Sequence, residues 1–402
     1  PALRRALGCF AVTPGEVRDG PAICRSTFTL RAAYAGVMPN NDVISFSRGA
    51  PSLDIVDTEG LKAAAVAALD ADPAGVTGYG TSVGYGPLRE WIAAKHGVKP
   101  ENVLITNGSM QADAFLFDEL VKPDSPVIVE RPTYDRTLLG LRNRRGELHP
   151  VRLQADGIDV DELEALLKGG VRPTLAHIIP NFQNPAGVTL SGEKRTRLLQ
   201  LANEYEFTIF EDDPYYDIRF RGEQFPTMLE QDGSDRVVYA CSFSKTVCPG
   251  LRTGYLVGPA DVIARIAKAA TNTYIAPNMF AQATIYQFAA SGALDRSIAT
   301  VKAALEERVD QLSASLRAHL PNAEFIVPDG GYFLWVDLGE GVDCAKVAAA
   351  AGDEGVQIVK GTDFVLEGGE SCLRLAYSAV KADRIDEGVR RLAKAVEASK
   401  GR

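Results

Sequence analysis

The sequence predicts an α/β protein, with a large domain built on a mostly parallel sheet flanked by helices and a small α+β domain. Three observations carry this. Apolar runs of strand length alternate with helical patterns through the middle of the chain, as parallel strands joined by crossover helices do. One long helical stretch follows them, and a separate strand and helix pattern closes the chain. At 402 residues the chain exceeds one ordinary core and suits one large body with a smaller one packed on it.

The strand-like runs are 126–130, 174–179, 207–211, 237–241 and 255–258, and their apolar character fits strands covered on both faces. Between them, 161–167, 193–205 and 261–270 carry Leu, Ile and Ala at helical spacing, with charges on the opposite face. The stretch 294–320 has apolar residues at three- and four-residue intervals and no internal Gly or Pro, and Pro321-Asn322 stops it. It is expected to bridge the two domains. A strand at 330–337, a helix at 344–351, a strand at 373–377 and a terminal helix complete the pattern. The large domain is therefore placed at residues 56–296 and the small, discontinuous one at 1–55 and 297–402. Internal repeats, low-complexity segments and long linkers are absent, so the domains are expected to pack rigidly.

Charge narrows the partners. Forty-three Lys and Arg stand against 52 Asp and Glu, a net charge of -9, and no basic stripe is dense enough to follow a nucleic-acid backbone. No apolar run approaches the ~20 residues of a bilayer span, and the first 30 residues mix Arg, Asp, Glu and Pro without a sustained apolar core. A cytoplasmic protein with neither nucleic-acid nor membrane partners is expected. The 6 cysteines form no CxxC pair and read as buried free thiols. His96, His149, His177 and His319 lack metal-site spacing, so no metal is expected.

Familiar phosphate and hydrolase signatures are missing. The glycine cluster at 78–86 does not have GxGxxG spacing, and neither GxxxxGK[ST] nor GxSxG occurs. The densest segment is instead Ser242-Phe-Ser244-Lys245-Thr-Val-Cys-Pro-Gly-Leu-Arg252-Thr-Gly254, directly after the 237–241 run. A lone lysine after a strand is ordinarily a solvated surface residue. Here two hydroxyls and an arginine accompany it: Ser242, Ser244 and Arg252 can donate to phosphate oxygens while the Lys245 amine forms an imine with an aldehyde. In Phe210-Glu-Asp212-Asp213-Pro-Tyr215-Tyr216, Asp212 can keep the pyridine nitrogen of pyridoxal phosphate (PLP) protonated, and Tyr215 can reach its ring hydroxyl. Glu211 and Asp213 read better as acids capping a helix. In Pro180-Asn-Phe-Gln-Asn184-Pro185-Ala-Gly187, Asn184 can donate to the ring hydroxyl oxygen, with Pro185 fixing the loop. Upstream, Thr106-Asn-Gly108-Ser109-Met110-Gln-Ala leads into a helix whose first N–H groups and Ser109 hydroxyl can seat a phosphate.

Together these segments resemble the fold-type I PLP-dependent aminotransferases of class I/II, from about residue 44 to 377. The resemblance implies the type I PLP-dependent transferase fold, pyridoxal 5′-phosphate as cofactor, and transfer of an amino group between an L-amino acid and a 2-oxo acid. Glutamate and 2-oxoglutarate are the expected pair. It implies that Lys245 is the Schiff-base lysine, catalytic together with Asp212 and Tyr215. Asn184 and Tyr215 become ring-hydroxyl ligands, and Ser109, Ser242, Ser244 and Arg252 phosphate ligands, with Met110 beside them. Tyr134, in Glu130-Arg-Pro-Thr-Tyr134, matches the aromatic residue that stacks on the ring.

Arg374, between two leucines, matches the arginine that grips the substrate carboxylate, with Gly49 and Asn184 beside it. Buried there, it needs a partner, and a structural Asp or Glu is the alternative. Tyr79 matches the tyrosine that crosses a dimer interface to the neighbour's phosphate, which implies a homodimer. The pattern is similar to the subgroup of kynurenine/2-aminoadipate aminotransferases and to the aminotransferase-like domains of certain bacterial regulators.

Three features depart from that pattern: Met110 where an amide is common, Arg48 where a small residue is usual, and Asp54-Ile-Val-Asp57 in place of a more apolar turn. Arg48 and the segment 1–35 are expected near the substrate mouth. Other PLP chemistry on an amino acid, such as that of a β-lyase, decarboxylase or oxidase, keeps the same residues. A ligand-sensing regulator domain needs a DNA-binding module in front, and the roughly 40 residues before Asp42 are short for one and lack its helical pattern.

Overall fold

The computed structural model describes residues 43–400. The expectation for segment 1–35, together with Cys9 and Cys24, lies outside that range. In chain order the strands are β1 (Ile44–Ser45), β2 (Val103–Thr106), β3 (Pro126–Arg131), β4 (Glu147–Gln154), β5 (Gly157–Ile158), β6 (Leu175–Ile178), β7 (Thr208–Asp212), β8 (Val237–Ser242), β9 (Gly254–Val257), β10 (Phe333–Asp337), β11 (Val356–Gln357), β12 (Val359–Lys360) and β13 (Cys372–Ala376).

Eight of these strands form one sheet in the order β2-β9-β8-β7-β6-β3-β4-β5. Its centre, β8 through β4, is parallel, whereas β9 pairs antiparallel with β2 and β8, and β5 with β4. The run expected at 255–258 is thus the antiparallel member. The segment joining β8 to β9 contains no crossover α-helix, and a strand that returns without one pairs antiparallel.

Alternation along the strands feeds two apolar layers. Val238 and Ala240 pack with Leu116, Phe117, Ile263 and Ile266, while Tyr239 and Cys241 pack on the opposite side with Ile92, Ile285 and Phe288. The central strands are therefore apolar on both faces, and polar side chains are left to their carboxyl ends. In open α/β sheets ligands bind at that edge.

A second sheet, β10-β13-β12, is antiparallel, and β1 pairs in parallel with β11. The long helix runs Ala293–His319, and its Val301, Leu305, Val309, Leu312 and Leu316 pack with Leu373, Leu375, Val389 and Leu392. Ile179, Phe182 and Tyr215, from loops of the large sheet, join the same cluster, so apolar packing runs from one sheet to the other. The strand expected at 330–337 begins only at Phe333, because the chain turns at Gly331, whose φ is +78°.

The acidic turn at 54–57 also has a structural account. Asp54 pairs with the buried guanidinium of Arg308 at 2.7 Å, and Asp57 caps the helix Thr58–Ala71 by accepting from the Gly60 N–H. Cys241 and Cys344 are buried free thiols as expected, whereas Cys248 and Cys372 are only half-buried.

Candidate active site

A cavity of about 520 Å³ opens at the carboxyl ends of β6, β7 and β8. Every site residue named from the sequence lines it except Tyr79, which is 93% exposed. One corner is made by close backbone approach. A Cβ on Gly108 would stand 2.4 Å from Arg252 Nη2, and one on Gly254 would stand 2.7 Å from the Ser109 nitrogen. Glycine at both positions lets the strand end, the guanidinium and the start of the helix Ser109–Leu120 crowd together. That helix start has no side-chain cap, which leaves N–H groups for an anion.

Ser242 and Ser244 are buried at the same corner, and the Ser244 N–H donates to Ser242 Oγ at 3.2 Å. Arg252, in the left-handed region at φ +49°, makes only long contacts, to Ser244 Oγ at 3.5 Å and to the carbonyls of Pro249 and Asn107 at 3.3 Å. Its donors remain available for a better acceptor. Met110 is half-exposed on the rim and has no donor to offer.

Lys245 follows β8, and its Nζ donates to the Gly49 carbonyl at 2.5 Å. The rings of Tyr332 and Tyr215 stand 5.1 and 5.8 Å away, and Tyr332 Oη fixes the backbone by donating to the Lys245 carbonyl at 2.7 Å. Burial, reinforced by the positive charges of Arg374 and Arg252, lowers the Lys245 pKa to about 8. Roughly a tenth of the amine is then neutral at pH 7, far more than for an ordinary lysine, and nucleophilic attack on an aldehyde requires the neutral form.

Asp212 closes β7. Its Oδ2 lies 3.6 Å from His177 Nε2, and its Oδ1 is buried without a partner. Glu211, one residue earlier, points into the other layer and accepts from the N–H groups of Met228 and Leu229, so it caps a helix as expected. Asp213 instead accepts from Asn181 Nδ2 at 2.7 Å, which corrects its assignment as a cap. Tyr215 is buried beside Lys245, and desolvation holds its hydroxyl protonated, well above the usual range. Tyr134 opens the helix Asp135–Asn143, and burial followed by the nearby Asp135, Asp113 and Asp212 pushes its pKa to about 12.

The opposite wall carries Arg374 on β13. Its Nη1 donates to Asn184 Oδ1 at 3.1 Å and its Nη2 to the Ser47 carbonyl at 2.8 Å, while its buried Nε has no partner. The rings of Phe333 and Phe364 flank the guanidinium at 4.3 and 4.8 Å. Among the described residues no carboxylate lies within ion-pair distance of it, so the structural-acid alternative does not hold. Because Asn184 spends its oxygen on Arg374, its amide N–H₂ is left to donate. Gly49 offers its carbonyl to Lys245, and a Cβ there would meet the Phe333 ring at 2.3 Å.

These residues fit a phosphorylated pyridine aldehyde. An amine shares the cavity with an acid that has one oxygen unpartnered and with a guanidinium that meets no acid among the described residues, and Arg252 and the serines stand alongside. The decisive finding is a family model described as aminotransferase class I and II, which matches residues 41–392.

The chain belongs to the class I and II aminotransferases. It is a PLP-dependent transferase that moves an amino group between an L-amino acid and a 2-oxo acid. It is 31% identical to aromatic-amino-acid aminotransferase 1 of Thermococcus litoralis, over 90% of this chain and 89% of that one. The α-aminoadipate aminotransferase of Thermus thermophilus, solved with N-(5′-phosphopyridoxyl)-L-leucine, superposes with a TM-score of 0.86 at 30% identity over 90% of this chain and 94% of that one. A kynurenine aminotransferase of Pyrococcus horikoshii, solved with the aminated cofactor, gives 0.86 at 31% identity over 92% and 94%.

Three cavity-lining acids and a buried base escaped the sequence analysis. Asp113 lies one helical turn after Ser109, a spacing that places both on one face of a helix. His177 lies under Asp212 on β6. Asp135 and Asp363 line the same cavity. Nothing in the sequence pattern singles out His177, because β6 reads as a plain apolar strand. Among the described residues no helix is long and apolar enough to cross a membrane.

Proposed function

We propose that this aminotransferase works through Lys245 as both the attachment point of the cofactor and the acid–base that moves the substrate proton. The placement of Lys245 Nζ in one cavity with the unpaired Asp212 oxygen and the acid-free Arg374 carries this reading. PLP, when bound, supplies an aldehyde for amine exchange and a ring that draws electrons from the substrate α-carbon. Asp212 would accept a hydrogen bond from the protonated ring nitrogen and so keep the proton on the ring. Asn184 Nδ2 and Tyr215 Oη serve the ring hydroxyl, and Tyr134 covers the ring. Ser109, Ser242, Ser244 and Arg252 hold the phosphate, with Met110 at its edge.

Arg374 takes the substrate α-carboxylate as a two-pronged donor, its plane fixed by Phe333 and Phe364, and the backbone at Gly49 borders the same position. The free Lys245 amine would serve as the base that removes the proton from the substrate α-carbon and as the acid that gives it back. Its pKa of about 8 suits both halves of that transfer.

Glutamate and 2-oxoglutarate are proposed as one amino-donor and acceptor pair, on the family resemblance. A cytoplasmic homodimer is proposed, in which the exposed Tyr79 reaches the neighbouring subunit's phosphate. The division into a domain at 56–296 and one at 1–55 with 297–402 is proposed as well, supported by the separate second sheet. Reduction of the holoenzyme with borohydride and peptide mapping should yield one cofactor-labelled peptide, the one containing Lys245. Label at a different lysine would overturn the assignment. 2-Oxoglutarate should then discharge the aminated enzyme, and discharge only by other oxo acids would replace it as acceptor.

A further inference from the structure

The acid at the ring-nitrogen end of the cavity is not alone. Asp113, on the helix Ser109–Leu120, lines the same cavity as Asp212, is 7% exposed, and has an Oδ1 atom buried without a partner. Asp212 is 5% exposed, and its Oδ1 is unpartnered too. A cavity that binds one cofactor therefore presents two buried carboxyl oxygens without donors, where a single ring nitrogen offers one proton. Leaving a buried acceptor unmatched is costly, and a buried carboxyl relieves that cost by keeping its own proton.

We propose that Asp113 is a second functional carboxyl group of the ring-nitrogen site, sharing the polar edge of the bound cofactor with Asp212 and changing its charge as it ionises. The inference rests on the placement of the cofactor ring against Asp212. With the cofactor in place, the Asp212 carboxylate would accept a hydrogen bond from the protonated ring nitrogen, and Asp113 stays a neutral acid beside it. Loss of the Asp113 proton to solvent adds one negative charge at this edge and makes the ring a poorer acceptor of electrons from the substrate α-carbon. Two carboxyls whose charges interact within one cavity titrate as a pair and not singly.

The surroundings favour the neutral form. Burial first, then the charge of Asp212, hold the Asp113 carboxyl well above the usual carboxylate range. Opposing this, its backbone hydrogen bond and Arg144 pull the other way, but Arg144 is engaged by Asp118 and by the carbonyls of Gly140 and Ala114. From the neighbouring helix Asp135–Asn143 and its start come Thr137 and Tyr134, and from β6 comes His177, whose Nε2 stands 3.4 Å from Thr137 Oγ1 and 3.6 Å from Asp212 Oδ2. The packed helix Ala260–Tyr274 brings Arg265, which is bound to Glu119 and Asp261. No cation is thus committed to Asp113 among the described residues.

The test is a visible-absorbance titration of the holoenzyme from about pH 5 to 9, within the range buried carboxyls reach. Wild type should show one ionisation step in the cofactor band that Asp113→Asn lacks, and kcat should fall with pH along that same step in wild type only. Superimposable titrations of wild type and Asp113→Asn would overturn the proposal. If Asp113→Asn does not fold, infrared spectra of wild-type holoenzyme carrying ¹³C-labelled aspartate decide. They should show a carboxylic-acid stretch that disappears with the visible step, and no such stretch at the acid end would overturn the proposal. Borohydride mapping on the same samples separates the two failures. Label away from Lys245 removes the cofactor placement itself, whereas label at Lys245 with no Asp113 step removes only the second carboxyl.

Discussion

The two walls of the cavity are unlike in construction and opposite in charge. On the sheet wall, Asn184, Asp212 and Lys245 leave the ends of the adjacent parallel strands β6, β7 and β8, held by ladder hydrogen bonds on both sides. On the facing wall, Ser47, Phe333, Phe364 and Arg374 come from four separate places in the chain and meet around one guanidinium. The sheet wall ends in carboxyl oxygens that lack donors, and the facing wall in a cation that lacks an acid. Such a cavity is matched to a ligand that is protonated at one end and anionic at the other. A ring nitrogen and a substrate carboxylate satisfy those two ends separately, so losses on the two walls should be separable.

The largest effect is expected from the sheet wall. In the proposed reading Lys245→Ala removes the amine that attaches the cofactor and moves the proton, so kcat for the half-reaction should fall by roughly 10²–10⁴ or more, the usual worth of a positioned acid–base. Single-turnover absorbance with an amino acid measures it. A variant within tenfold of wild type would show that another group moves the proton, and the sheet wall would lose its central role.

On the facing wall the expected loss is smaller and of a different kind. Arg374→Ala should leave the visible spectrum of the bound cofactor as in wild type while kcat/KM for amino acids falls at least about tenfold. Each hydrogen bond lost to a charged group costs roughly 1.5–3 kcal/mol. A changed cofactor spectrum would mean that the walls do not divide their work between cofactor and substrate. An unchanged kcat/KM would leave the buried guanidinium, bonded to Asn184 and Ser47, as a structural tie between loops.

The same contrast explains what the sequence makes legible. The sheet wall is local: Ser242, Ser244, Lys245 and Arg252 fall within one short segment, and strand-end spacing alone brings them together. Helices 161–167, 193–205 and 294–320 were legible because they bury one face and follow a 3.6-residue period. The helix Met279–Ala290 escaped the sequence analysis because it buries several faces at once, with Gln282 and Thr284 inside as well as Ile285 and Phe288, which erases the periodic signal. β4 escaped it because it lies near the sheet edge with only Val151 buried, so its Glu, His, Pro and Arg mask the strand. Asp113 and His177 were passed over for another reason. Their meaning depends on what lies across the cavity, and neither side chain belongs to a motif of its own segment.

The proposed dimer would add a third wall from the neighbour, and this is where the contrast can be sharpened further. Tyr79 is 93% exposed and absent from its own cavity, so in a two-fold dimer each subunit would lend this tyrosine to the other. Lys245→Ala and Tyr79→Ala homodimers are each impaired at both sites. When the two variants are mixed, refolded and allowed to exchange, about half the dimers should be hybrids, and each hybrid holds one site with both residues intact. Activity should then recover to about a quarter of the wild-type level, measured against each parent carried through the same refolding. If Tyr79 serves its own subunit, every hybrid site keeps one defect and the mixture stays at the mean of its parents. That outcome would remove the neighbour from the site and leave Tyr79 to act within its own subunit, beside Ser109, Ser242, Ser244 and Arg252.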